Sequence, residues 1–137
     1  MEMGLQVYVK DSVAAVDLYR KAFGAALGYH VLNDDGTFMH AELEVDGKPI
    51  LAVSESANDI GWRLLKEYSP SVYPTMNFGV TLADEAAVKQ AYEALSEGGV
   101  ILLPLGKLPW SDSCANVIDR FGVFWYVSVA GHRPEED

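Results

Sequence analysis

Cysteine is nearly absent from this 137-residue chain and basic charge is outnumbered by acidic, and each scarcity excludes a class of protein. Cys114 is the sole cysteine, so the chain can form neither an intramolecular disulfide framework nor a four-thiolate zinc site, and a reducing compartment is the expectation. Lys and Arg number 10 against 20 Asp and Glu, for a formal charge of −10. The basic residues are scattered singly, with no patch to neutralise a row of phosphates, so nucleic acid is not an expected partner. No apolar run approaches the roughly 18 residues of a membrane span. Met1-Glu2-Met3-Gly4 also lacks the basic region and apolar stretch of a secretory leader. The expectation is a soluble cytoplasmic protein with no membrane partner. Gly98-Gly99 follows a helical pattern, as a C-terminal cap does, and no glycine cluster follows a strand with the spacing of a phosphate cradle. A nucleotide cofactor is therefore not expected.

What is present is apolar: 50% of the residues, enough for a buried core in one domain spanning 1–137. Leu5 to Val9 reads as a short strand, and Asp11-Ser12 as the cap of a helix carrying Val16, Tyr19 and Phe23 on its apolar face and ending at Gly24. Ala26 to Leu32 resumes as a strand up to the turn Asn33-Asp34-Asp35-Gly36. Thr37 to Val45 alternates, with Phe38, His40, Glu42 and Glu44 on one face and Met39, Ala41, Leu43 and Val45 on the other. Asp46-Gly47 is a hairpin turn, and Lys48 to Ser54 returns.

After a linker over 55–73, with a helical turn around Trp62 to Tyr68, the pattern repeats. Thr75 to Leu82 is a strand, and a helix opening at Asp84 carries Val88, Ala91, Tyr92 and Leu95. Val100 to Leu105, Ala115 to Ile118 and Phe124 to Ala130 are three further strands, before a charged tail over 132–137. Asp11 and Asp84, Tyr19 and Tyr92, and Asp46 and Asp119 are each related by an offset of 73, the signature of an internal repeat. The fold class is α+β, built from tandem βαβββ half-modules (1–54 and 74–131) forming a cupped mixed sheet around a cavity.

This layout resembles the vicinal oxygen chelate superfamily, which includes glyoxalase I, extradiol dioxygenases and bleomycin-resistance proteins, and within it the PhnB-like branch. The resemblance is carried by the helix Ala15-Val16-Asp17-Leu18-Tyr19-Arg20-Lys21-Ala22-Phe23-Gly24-Ala25, by His40-Ala41-Glu42-Leu43, and by Trp110 followed by Asp119-Arg120-Phe121-Gly122-Val123-Phe124-Trp125. It implies a cavity for a small molecule and a homodimer, but no single reaction, because the fold hosts isomerases, dioxygenases, transferases and binders.

Catalytic members of that superfamily chelate one divalent ion through His, Gln or Glu on the first and last strands of each half. Counted against the family pattern, those positions hold Gly4, Asn77 and Tyr126, and Lys48 to Ser54 contains no ligating side chain. The expectation is therefore no cofactor and no metal. The candidate cavity residues are His40, Glu42, Asn77, Trp110 and Tyr126, with Tyr126 turned toward the ligand and its neighbour Trp125 toward the helices. Cys114, ahead of a strand and two residues from Asp112, reads as a structural thiol, and Ser111 and Ser113 as a loop at the cavity mouth. The favoured function is metal-free binding of a small organic ligand. The alternative is an enzyme of lyase, isomerase or dioxygenase type, using a nonstandard divalent metal site or an acid-base pair on His40 and Glu42.

Overall fold

The computed structural model describes residues 1–131, with Trp62 described by its backbone alone. The charged tail over 132–137, His132 included, lies outside the described residues. The first half runs β1 (Gln6–Val9), α1 (Ser12–Phe23), β2 (Ala26–Leu32), β3 (Phe38–Val45) and β4 (Lys48–Glu55). A linker holding α2 (Ile60–Arg63) and a 3-10 turn (Leu64–Glu67) leads to β5 (Phe78–Leu82), α3 (Glu85–Ser96), β6 (Val100–Leu108), β7 (Ser111–Ile118) and β8 (Phe124–Val129). Each half makes its own four-stranded mixed sheet, in the orders β1-β4-β3-β2 and β5-β8-β7-β6, with the first strand parallel to the last. The fold is thus the α+β tandem βαβββ arrangement, realised as two sheets.

Both helices begin with the same device. The side chain of Asp11 accepts from the backbone N–H of Ala14 at 3.4 Å, and that of Asp84 from Ala87 at 2.8 Å. Each caps a helix whose first N–H groups lack intrahelical partners. Gly24 closes α1 at φ 66, donating its N–H to the Arg20 carbonyl at 2.9 Å. This left-handed geometry favours glycine.

The first helix has a further anchor. Glu55, at the end of β4, accepts from the N–H groups of Asp11 at 2.9 Å and Ser12 at 2.8 Å. Burial alone would raise this carboxyl, but those hydrogen bonds outweigh burial and hold it below its ordinary value of 4.5. A depressed carboxylate pKa contributes stability that is present above the unfolded value and is lost as pH falls through the folded one. Glu55→Gln is therefore expected to cost about 1 kcal/mol at neutral pH, in line with loss of a helix cap. In urea titrations repeated from pH 7 downward, the gap between wild type and variant should close below pH 4.5. A gap that stays constant down to pH 3 would refute the assignment.

The core is shared between the halves. Val7, Val9, Ala41, Leu43, Leu51 and Val53 of the first sheet join Ala115, Val117, Trp125 and Val127 of the second in one cluster, together with Tyr19, Val88, Ala91 and Leu95 from the helices. Trp125 is almost fully buried, with its ring 5.3 Å from Tyr19, 5.0 Å from Phe23 and 5.5 Å from Phe78. Alternation along the strands then turns the opposite face of each sheet away from this cluster.

Several expectations need correction. The expected alternation of β3 fails at its start, where Phe38 is buried and Met39 exposed. An irregularity in the β2–β3 register between Val31 and Leu32 reverses the faces there, and the Phe38 N–H donates to the buried Ser12 hydroxyl at 2.9 Å. β7 begins at Ser111 rather than Ala115, so Ser111 and Ser113 are buried strand residues and not a loop, and Cys114 lies inside the strand. β6 extends to Leu108, whereas β5 starts only at Phe78, leaving Asn77 just ahead of it.

The repeat is also looser than a single offset. β1 maps onto β5 at 73, Gln6 to Gly79, but their partners on the last strands, Ala52 and Tyr126, are 74 apart. Asp46 and Asp119 accordingly do different things. Asp46 is exposed at φ 53 in a tight turn with Gly47 at φ 76, whereas Asp119 is fully buried.

Candidate functional site

The candidate residues fall on the open faces of the two sheets. On the first, Gln6 is paired with Ala52 and Tyr8 with Ser54, and Glu42 is paired with Ala52 across the next ladder. Residues of this parity point away from the buried Val7, Ala41, Leu43 and Val53, so Gln6, Tyr8, His40, Glu42 and Ser54 share the open side. His40 Nε2 lies 2.9 Å from Glu42 Oε2, and both side chains are about one-third exposed (34% and 30%). The Tyr29 ring is 6.1 Å from the His40 ring, and the Gln6 amide donates to the Ser54 hydroxyl at 3.1 Å. In the tautomer that donates Nε2–H to Glu42, the His40 Nδ1 remains an acceptor.

On the second sheet the Asn77 amide donates to Asn116 Oδ1 at 3.3 Å, and Trp110 Nε1–H donates to the Tyr126 hydroxyl at 3.0 Å. Trp110 is exposed. Burial is the main reason that the Tyr126 phenol is pushed above its usual value. The Cys114 thiol beside it adds to the rise, while the Trp110 N–H and Ser128 pull the other way. Tyr126 is therefore a neutral phenol at neutral pH, its oxygen accepting from Trp110 with the Cys114 thiol and the Ser128 hydroxyl beside it.

The structure thus brings together His40 with Glu42 and Trp110 with Tyr126, and it sets Asn77 beside Asn116. It does not gather all of them around one enclosed cavity. Glu42 borders a hollow of about 160 Å³ with Met3, Leu5 and Ile50, while the larger clefts lie between the halves and beside the linker. The linker also covers part of the second open face. Leu65 packs with Leu102, Ile118 and Phe124, the Tyr73 ring stands 5.8 Å from that of Phe124, and the Tyr73 hydroxyl reaches the Leu102 carbonyl at 3.3 Å. The sequence reading put a helical turn in this segment but had no signal for where it docks.

The positions that would chelate a divalent ion do not fit one. Gly4 has no ligating side chain and precedes β1, Asn77 is engaged with Asn116, and Tyr126 with Trp110. Glu55, the one carboxylate on β4, is committed to the start of α1. Among the described residues no group of three or more His, Cys, Asp or Glu is placed to hold a metal ion.

Asp119 heads a segment that carries the family resemblance, but the sequence gives no sign of what its side chain holds. Its Oδ2 accepts from the Tyr19 hydroxyl at 2.6 Å and from Trp125 Nε1–H at 2.9 Å, and its Oδ1 from the N–H groups of Phe121 at 2.9 Å and Val123 at 3.1 Å. Burial pushes this carboxyl up, against the pull of all these donors. One side chain thereby shapes the β7–β8 turn and ties α1 of the first half to β8 of the second.

Two open sheet faces, helices packed on the other side and the Asp119 turn reproduce a family pattern, and the model of the Glyoxalase/Bleomycin resistance protein/Dioxygenase superfamily matches residues 4–127. The chain belongs to that superfamily. An uncharacterized protein of Mycobacterium bovis, Mb0911c, is 29% identical over 117 residues, covering 85% of this chain and 75% of the relative. The PhnB protein from Bacillus cereus has a similar structure, with a TM-score of 0.71 at 21% identity, over 95% of this chain and 100% of that one. The fosfomycin resistance protein FosX from Listeria monocytogenes, solved with Mn(II) and a dihydroxypropylphosphonic acid, gives a TM-score of 0.66 at 13% identity, over 99% of this chain and 96% of that one. At these identities the structural matches establish the superfamily fold, of which PhnB-like proteins are one form.

Proposed function

We propose that this superfamily member binds a small organic molecule against the open faces of its sheets, without a chelated divalent ion. The observation carrying this reading is the Trp110–Tyr126 pair. Where a chelating relative would need a carboxylate, this chain has a neutral phenol whose oxygen is occupied by an indole N–H, beside an exposed ring. An aromatic surface with a phenol hydroxyl at its edge suits a flat, largely apolar ligand bearing a polar group. Further donors and acceptors would come from Asn77 beside the same pair and from His40 and Glu42 on the first sheet. A homodimer in the cytoplasm belongs to the same reading, since a second copy could cover faces that one chain leaves open.

The test is a thermal-shift and tryptophan-fluorescence screen of planar phenols, quinones and aromatic amides on protein purified without chelator, with metal content measured in parallel. A ligand that raises the Tm of metal-free protein, with Trp110→Ala weakening it about tenfold, supports the proposal. Trp110 is exposed, so its removal leaves the core intact. Stoichiometric Zn, Ni, Mn or Fe that is lost on mutating His40 would overturn it.

A second reading rests on the 2.9 Å His40–Glu42 contact, which could serve as an acid-base pair for proton abstraction from a bound ligand. Turnover of a ligand found in the screen, abolished by His40→Ala while binding persists, would favour that reading.

A further inference from the structure

Bordering the first open face at Tyr8, one cleft between the halves collects basic charge, which the chain has little of. Lys10 follows β1 in the first half, and Arg120 lies in the β7–β8 turn of the second. Both line a single cleft of about 250 Å³, together with Tyr8, Asn58, Asp59 and Phe121. In a chain with 20 acidic and 10 basic residues, two cations and one carboxylate line one hollow, with the Lys10 charge also reaching the carboxyls of Glu55 and Asp35 outside it.

That carboxylate is already occupied: Asp59 Oδ1 is paired with Arg63 Nε at 2.8 Å. Glu55, whose carboxyl also feels the charge of Lys10, spends its oxygens on the start of α1. Among the described residues neither Lys10 nor Arg120 takes part in an ion pair. The Arg120 guanidinium lies 4.8 Å from the centre of the Phe121 ring, which restrains it as a planar donor group. Asn58 Oδ1 accepts from the Ile60 N–H at 3.3 Å, which leaves its NH2 group to donate.

We propose that this cleft is an anion site, taking a compact molecule that carries one carboxylate or phosphate on a small apolar body. Lys10 and Arg120 would hold the anion, Asn58 would add a hydrogen bond, and the Tyr8 and Phe121 rings would cover the apolar part. The volume lies just under the usual range for drug-sized ligands, roughly 300–1,000 Å³, which limits the body to about one ring. The site draws on the first half, the linker and the second half at once, so its ligand would stabilise their association.

The experiment is calorimetric titration of the full chain with phenyl phosphate, benzoate and, as a neutral control, benzyl alcohol. At least one anion should bind, benzyl alcohol should not, and the stronger of the two anions identifies the headgroup. Affinity should fall at least tenfold on Lys10→Gln, be largely retained in Lys10→Arg, and weaken between about 50 and 500 mM NaCl. Lys10 is exposed, so Lys10→Gln tests the site even if Arg120→Gln disturbs the turn. Failure of both anions to bind, equal binding of benzyl alcohol, or indifference to Lys10→Gln would each overturn the proposal. Trp110→Ala should leave anion binding unchanged, which keeps this result separate from the open-face screen.

Discussion

Asp119→Asn should destabilise the protein by about 2–3 kcal/mol, and Asp119→Ala by about 3–5 kcal/mol, although Asp119 lines neither proposed ligand site. The carboxylate satisfies two backbone N–H groups, a phenol and an indole at once, and it is fully buried. An Asn in its place can keep its oxygen toward the backbone of the turn. Its NH2 then faces the Trp125 N–H, which has no lone pair to offer, while the Tyr19 hydroxyl can rotate to accept. The isostere therefore relieves the cost of burying charge but strands a donor in the core. Alanine strands all of them. Urea unfolding followed by far-UV circular dichroism gives the comparison, with Tyr19→Phe expected to lose only about 1 kcal/mol. If Asp119→Asn lay within about 0.5 kcal/mol of wild type, the hydrogen-bonded clasp would not be the tie between the halves.

Gly122→Ala should cost a similar amount by a different route. Gly122 sits at φ 90 in the turn that Asp119 organises, with its N–H on the Asp119 carbonyl at 2.9 Å. A Cβ there would overlap the backbone of Gly61 in α2, and one on Gly61 would in turn lie 2.6 Å from the Phe121 carbonyl oxygen. Strain at positive φ costs about 1–3 kcal/mol, and forcing two backbones apart adds about 1–3 kcal/mol. Displacement of α2 also predicts a local consequence. Hydrogen exchange should quicken across Ile60 to Glu67 in Gly122→Ala while β3 stays protected. Uniform loss of protection would mean that the linker does not dock on this turn.

Legibility of the sequence followed the range of the interactions. The Asp11 and Asp84 caps and the Gly24 stop were readable because a cap and its targets lie within a few residues of one another. The tandem arrangement followed from those caps and from alternation. The start of β7 was not readable, because Ser111-Asp112-Ser113 has turn-like composition and becomes strand only by pairing with β6 and β8. Phe38 and Met39 exchanged faces because an irregular register leaves no mark on a pattern of alternation. Asp119 stood out by its spacing from Asp46 and by heading the segment Asp119-Arg120-Phe121-Gly122-Val123, but its role depends on Tyr19, 100 residues away, which no local rule reaches. Of the candidate site, the His40–Glu42 pair was visible as i, i+2 neighbours on one strand, whereas the Trp110–Tyr126 bond and the Lys10–Arg120 cleft exist only once separate strands have been assembled.

The docking of residues 64–73 onto Leu102, Ile118 and Phe124 makes the two duplicated modules unequal. One module keeps a bare surface whose side chains can drift without loss of stability, while its twin carries a roof that hydrophobic packing holds in place. Changes of specificity in descendants of this protein should therefore accumulate on the unroofed module first, with the roofed one conserving its shape.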